Sequence, residues 1–213
     1  MQLIWLGQSC FKIMGKETTI ITDPYEDSIG LKLPSRLNAD IVTISHDHHD
    51  HNNVGAISGS PLVINTPGEY ETRGIFIQGI PSVHDEKNGS ERGTNTIFLF
   101  SFEDMKLAHL GDQGTLLSDE QLEKLEGVDI LLVPVGGVFT IDGKKAAEVV
   151  NQIEPRLVIP MHYAVPGLKI KLNPINKFCD EMGVKTNGAE EKLKISKKDL
   201  PVEETKVIIL KNE

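Results

Sequence analysis

Residues 45–51 read Ser-His-Asp-His-His-Asp-His, four histidines and two aspartates in seven positions. The whole chain of 213 residues has only seven histidines, so this density answers a local chemical demand. His46, His48, Asp50 and His51 fit the spacing His-x-His-x-Asp-His. Imidazole nitrogen and carboxylate oxygen suit Zn²⁺, Mn²⁺ or Fe²⁺, and four such groups this close together serve two ions better than one. The expected chemistry is that of a binuclear metal site, with a solvated polar loop as the plain alternative.

A buried strand must position these side chains. The near-continuous apolar run 39–45 leads straight into the histidines, which therefore stand where a strand ends and a loop opens on a rigid scaffold. Residues 52–59 read as the start of a helix. Short strands are expected at 3–7, 10–14, 18–23, 61–64, 74–80, 94–101 and 105–111, where apolar and β-branched residues are bounded by turn formers. Helices are expected at 118–127, which opens on a Ser-x-x-Gln capping box, at 142–155, which stops before Pro155, and at 173–183, with Pro174 near its start. A strand at 156–161 and a last one near the C-terminus complete the set. Length makes one domain, residues 1–213, the default.

Composition narrows the partners. Against 31 Asp+Glu stand 22 Lys+Arg, a net charge of −9 without a basic patch, which disfavours long nucleic acids. No run approaches the ~18 apolar residues of a membrane span and the start lacks a signal-peptide pattern, so the expected location is the cytoplasm. Cys10 and Cys179 read as reduced and buried.

His-x-His-x-Asp-His after a hydrophobic strand resembles the signature of the metallo-β-lactamase superfamily. That family supplies its other ligands in order along the chain: a lone histidine, an aspartate at a strand end and a final histidine after a late strand. His84 in IPSVHD, Asp112 in LAHLGDQG and His162 in LVIPMHY answer to them. The match runs from about Met1 to Tyr163, and the chain looks most like the small branch of metal-dependent hydrolases that contains the ascorbate-6-phosphate lactonase. The resemblance implies a four-layer αββα sandwich, two mixed β-sheets flanked by helices. It also implies one metal site from His46, His48 and His84, a second from Asp50, His51 and His162, and Asp112 bridging them. Taken singly, His84 reads as a surface histidine, Asp112 as a turn or cap residue and His162 as a core histidine. His49 and His109 are left with supporting or structural roles.

Two divalent ions, Zn²⁺ or Mn²⁺ before Fe, Co or Ni, lower the pKa of a bridging water towards about 7 and polarise a carbonyl or phosphoryl oxygen. The implied reaction is hydrolysis by a bridging hydroxide, with Asp50 orienting or deprotonating the water. Arg92 and Asn95 in SERGTNT, Thr140 in the glycine-rich loop 135–142 and Tyr163 beside His162 are candidate substrate contacts. The helix start after that loop is a candidate anion site. Turn chemistry, an ordinary N-cap and packing explain the same residues equally well. The expected substrate is a small anionic ester or lactone. A phosphodiesterase or nuclease using the same metals, and a non-catalytic metal-binding sensor, are the other readings. Residues 164–213 fit either a wall of the cleft or a homo-oligomer contact.

Overall fold

Side chains alternate between the faces of a strand, so a strand apolar at every position needs cover on both sides. A computed structural model describes residues 1–213 and shows where that cover comes from. In β1 (Gln2–Gly7), Leu3 and Trp5 enter one buried cluster while Leu6 enters another. Ile20 and Ile21 of β3 (Thr19–Thr22) divide the same way, as do Ile41 and Val42 of β4 (Ile41–Thr43).

The first sheet has the order β12 (Leu193–Lys194), β1, β2 (Cys10–Met14), β3, β4 and β5 (Leu62–Ile64), antiparallel as far as β3 and parallel from there to β5. The second runs β13 (Lys206–Val207), β11 (Leu157–Met161), β10 (Ile130–Pro134), β9 (Met105–His109), β8 (Thr94–Phe102), β7 (Ile75–Val83) and β6 (Gly68–Thr72). Its β13-to-β9 half is parallel and its β9-to-β6 half antiparallel. The larger cluster lies between the sheets, where Trp5, Phe11 and Ile13 of the first share a core with Ile77, Phe98 and Phe100 of the second.

Outside the second sheet lie α1 (Asp119–Lys124), α2 (Gly143–Ile153) and α3 (Asn176–Glu181). Ala146, Ala147, Val149 and Val150 of α2 form its buried stripe, and Phe178 of α3 joins it. Gly143 lets α3 approach, since a Cβ there would come within 2.5 Å of the Phe178 nitrogen. The outer face of the first sheet is covered differently. Tyr25, Ile29, Leu31, Leu37 and Ile57 pack over Leu6, Ile21 and Val42, carried by loops with two single 3₁₀ turns at Asp27–Ile29 and Val54–Ala56. The second of these turns replaces the helix expected after the histidines. The Asn53 side chain, which would have to cap it, donates instead to the Tyr25 carbonyl at 3.0 Å, and Gly55 is a weak helix former.

The other predicted helices form, α1 and α2 where Ser118 and Asp142 cap them, with the Ser118–Gln121 capping box intact, and α3 shortened to Asn176–Glu181 without a side-chain cap. Three strands, β6, the wholly buried β10 and the two-residue β12, are not among those expected. The final strand is reduced to Lys206–Val207. No helix is long and apolar enough to cross a membrane. Strands β1, β3, β4, β7, β9 and β11 all end on one edge of the sandwich, and Gln8, Asp23, His46, His84, Asp112 and His162 follow those ends by one to three residues.

Candidate metal centre

That edge gathers the predicted residues into two adjacent groups. His46, His48 and His84 form one, Asp50, His51 and His162 the other, and in each the ligand-type atoms lie within 4.8 Å of one another. Asp112 stands between them. Its Oδ2 lies 3.3 Å from His84 Nε2 on one side, and 3.4 and 3.2 Å from His51 Nε2 and His162 Nε2 on the other. It forms a third such group with His46 and His51. The donor set, five imidazoles and two carboxylates, suits divalent zinc, manganese or iron. Two atoms test the fit directly: His46 Nε2 and His51 Nε2 are buried and have no hydrogen-bond partner in the protein. Buried ring nitrogens are ordinarily paired, so these two point at a place meant for something else.

Further residues hold the rings. Asp23, at the end of β3, accepts from the Ser45 amide at 2.7 Å and the Ser45 hydroxyl at 2.6 Å, and its Oδ2 lies 2.9 Å from His51 Nδ1. A carboxylate on Nδ1 fixes the ring's proton there and leaves Nε2 free for a metal. Ser45 Oγ lies 3.0 Å from His46 Nδ1. The Nδ1 atoms of His84 and His162 have no such partner. His109 is structural: its Nδ1 accepts from the Gly111 amide, so Nε2 carries the proton and donates to the Ser9 carbonyl at 2.8 Å. Gly111 has φ +56, and a Cβ there would run into Asn95 Oδ1 and Ser45. Only glycine lets the loop that carries Asp112 pass so close.

Charge is sharply divided in this pocket. Burial, helped by the neighbouring His51, pulls His46 down to about 3, and burial also lowers His84. Burial opposes charge on His51 too, but Asp112, Asp23 and Asp50 surround it and hold it well above the usual imidazole value. Asp112 and Asp50 resist burial in turn, held below the carboxylate range by His162 and His51 for the first and mainly by His51 for the second. His51 thus lies among three carboxylates, Asp23, Asp50 and Asp112, that favour its protonated form.

The cleft above the cluster has a volume of about 370 Å³; Arg92, Glu91, His49, Phe139 and Ile170 share its lining with the metal-facing residues. Arg92 donates to the Val138 carbonyl at 3.2 Å and lies over the Phe139 ring, 5.4 Å from its centroid. Its loop is anchored by Asp85, whose carboxylate accepts from the amides of Lys87, Gly89, Glu91 and Arg92. The other substrate candidates lie elsewhere. Asn95 is buried behind Asp112, donating to the Leu110 carbonyl and accepting from the Asp112 amide. Thr140 donates to the Ile141 carbonyl, and Tyr163 is packed on Trp5 at 4.9 Å between centroids. The start of α2 is taken by Asp142, which accepts from the Lys144 and Lys145 amides and pairs with Lys177, leaving no free anion site. His49, expected in a supporting role, is exposed on the cleft wall. Asp23 and Gln8 are the site residues that spacing does not reveal.

A sandwich of two mixed β-sheets, with helices outside the second and loops in place of the expected helix layer outside the first, and a histidine- and aspartate-rich metal centre at one edge define the class. The β-lactamase superfamily domain matches residues 2–162, and the chain belongs to that superfamily. A UPF0173 metal-dependent hydrolase of Methanoculleus marisnigri is 33% identical over 207 residues, 84% of this chain and 89% of the relative. A UPF0173 protein of Pyrococcus abyssi is 31% identical over 190 residues, 78% and 85% of the two chains. Among solved structures, a Thermotoga maritima protein placed among the Zn-dependent hydrolases of the metallo-β-lactamase superfamily superposes with a TM-score of 0.79 at 33% identity, covering 98% of this chain and 97% of its own.

Proposed function

We propose that the protein is a metal-dependent hydrolase with two divalent ions, acting on a small anionic ester or lactone. The observation that carries this reading is the Asp112 carboxylate, whose one oxygen is shared between two groups of three ligand-type residues. His46, His48 and His84 would hold one ion, and Asp50, His51 and His162 the other. When bound, such a pair supplies Lewis acidity and lowers the pKa of a coordinated water. The likeness to the Thermotoga and Methanoculleus proteins, named as hydrolases, supports the same class of reaction.

The chain's own groups divide the remaining work. Asp50 is ionised at any physiological pH and is a weak base, so it orients a water by accepting its hydrogen bond and is not the final proton acceptor. Asp112 and Asp50 together offset part of the four positive charges. Arg92 faces the same cleft with its guanidinium held flat by Phe139 and Val138 and would grip a carboxylate or phosphate of the substrate. Phe139 and Ile170 supply apolar contact and exclude water. Because the ligands come from both sheets, residues 1–213 would act as one catalytic unit.

The test is a hydrolysis screen of protein loaded separately with Mn²⁺ and Zn²⁺, offering phosphorylated lactones, simple esters and cyclic phosphodiesters. Turnover of lactones or esters is expected, abolished in Asp112→Ala and shifted to higher KM in Arg92→Ala. Turnover of phosphodiesters alone would replace the substrate class. Full metal loading with no turnover on any of them would favour a metal-binding sensor.

A further inference from the structure

Gln8 follows β1 and sits at the bottom of the metal centre, 1% exposed. Its backbone is left-handed, with φ +50, a conformation uncommon for glutamine and usually maintained for function. The surroundings enforce it: the Gln8 carbonyl accepts from Trp5 Nε1 at 2.8 Å and from the His162 amide at 3.1 Å. His162 is left-handed as well, with φ +52. The turn after β1 and the exit of β11 are thus tied to each other.

The side chain reaches in among the metal-facing atoms. Its Nε2 lies 3.1 Å from Asp50 Oδ2 and 3.1 Å from His162 Nε2, two members of one ligand group. Separations near 3 Å are those between neighbouring ligands around a six-coordinate ion with bonds of about 2.0–2.2 Å. The other end of the amide is an anomaly. Gln8 Oε1 is buried and accepts from nothing, although buried carbonyl oxygens are ordinarily paired. In this orientation the NH₂ also occupies the lone pairs of Asp50 and His162 that an ion needs.

A rotation of the amide about its last torsion would carry Oε1 to the position Nε2 now holds, beside Asp50 and His162, where an ion would satisfy it and the lone pairs of Asp50 and His162 would be left to that ion. We propose that the Gln8 amide stands in for the cation in the metal-free protein, and that on loading it turns so that Oε1 becomes a further oxygen ligand of the ion held by Asp50, His51 and His162. An amide oxygen is a neutral, hard donor, so it adds coordination without adding negative charge to a pocket that already contains Asp23, Asp50 and Asp112. The inference rests on the two-ion reading proposed above.

Stepwise titration of metal-free protein with Zn²⁺, followed calorimetrically for wild type, Gln8→Leu and Gln8→Glu, tests both and separates them. Wild type is expected to take up two ions. In Gln8→Leu one of the two dissociation constants should rise on the order of 10- to 100-fold. The other should stay unchanged, which also shows the variant is folded. Gln8→Glu restores an oxygen at the same reach but cannot donate, so it should recover the affinity of wild type or exceed it. Two ions bound equally tightly by wild type and Gln8→Leu would overturn the inference and leave the two-ion reading intact. Gln8→Glu as weak as Gln8→Leu would overturn it too, since the amide would then serve Asp50 as an N–H donor. Fewer than two ions in wild type would overturn the two-ion reading, and this inference with it.

Discussion

Asp23 shows how much of the centre depends on a residue outside the ligand groups. It is wholly buried, in a left-handed conformation at φ +39, and spends both carboxylate oxygens on Ser45 and His51. In Asp23→Asn the Oδ1-type acceptor for the Ser45 amide survives. The NH₂ that replaces Oδ2, however, can only donate towards His51 Nδ1, moving the ring proton to Nε2, the atom a metal needs. The expected cost is a 10- to 100-fold weaker ion at the Asp50–His51–His162 group, on the order seen when such supporting carboxylates are lost. Equilibrium dialysis against a competing chelator measures it, and unchanged affinity would remove Asp23 from the centre. The difference between Asp23 and the histidines also explains what the sequence could disclose. Four histidines in seven residues have few other uses, whereas an aspartate ending TTIITD or a glutamine following LIWLG looks like any turn residue. Their roles exist only once the ends of β1, β3 and β4 meet, and the burial of Asn95 and Tyr163 stays hidden in the sequence for the same reason, since local spacing does not reveal which way a side chain points.

At the level of elements, legibility followed local chemistry. Helices α1 and α2 begin where Ser118 and Asp142 can bond their first amides, a signal confined to four residues. Strand β10 shows the opposite case. Covered by α2 on one side and by the inter-sheet core on the other, it is apolar throughout and so lacks the alternation that marks a strand. The cap of α2 makes a prediction with a pH signature. Asp142→Ala should lower stability by about 1 kcal/mol, the usual worth of an N-cap, with little added by the solvent-screened Lys177 pair. Burial works against the Asp142 charge, but Lys177 and the Lys144 and Lys145 amides hold its carboxyl below the usual range. A carboxyl with a depressed folded-state pKa stabilises above its unfolded pKa of about 3.9 and loses that contribution as pH falls through the folded value. Urea unfolding should therefore show a constant gap between wild type and variant from about pH 5 to 8, narrowing below about pH 4. A gap that widens on acidification would contradict this account of the cap.

For the whole molecule the decisive fact is that neither sheet owns the centre. His46, His48, Asp50 and His51 follow β4 of the first sheet, while His84, Asp112 and His162 follow β7, β9 and β11 of the second. Any ion bound by either group is consequently a cross-link between the two layers at the edge where all these strands end. The same edge gathers three carboxylates, Asp23, Asp50 and Asp112, around His51, a concentration of negative groups that a divalent ion would offset. Metal should therefore act on global stability and not merely on activity. An ion at 1,000 times its dissociation constant adds about 4 kcal/mol if the unfolded chain does not bind it. In a chain of 213 residues, 1 kcal/mol corresponds to about 2–4 °C in Tm, so calorimetry should show a rise of roughly 10 °C on loading the first ion and its loss with a chelator. Ligand removal on either side of the interface distinguishes a cross-link from local ordering of the 45–51 loop. His48→Ala, on the first sheet, and His162→Ala, on the second, should each remove part of the metal-dependent rise, and Asp112→Ala should remove most of it. If His162→Ala and Asp112→Ala kept the full rise while His48→Ala abolished it, the ions would be held by the histidine-rich loop alone, and the sandwich would close on packing without them.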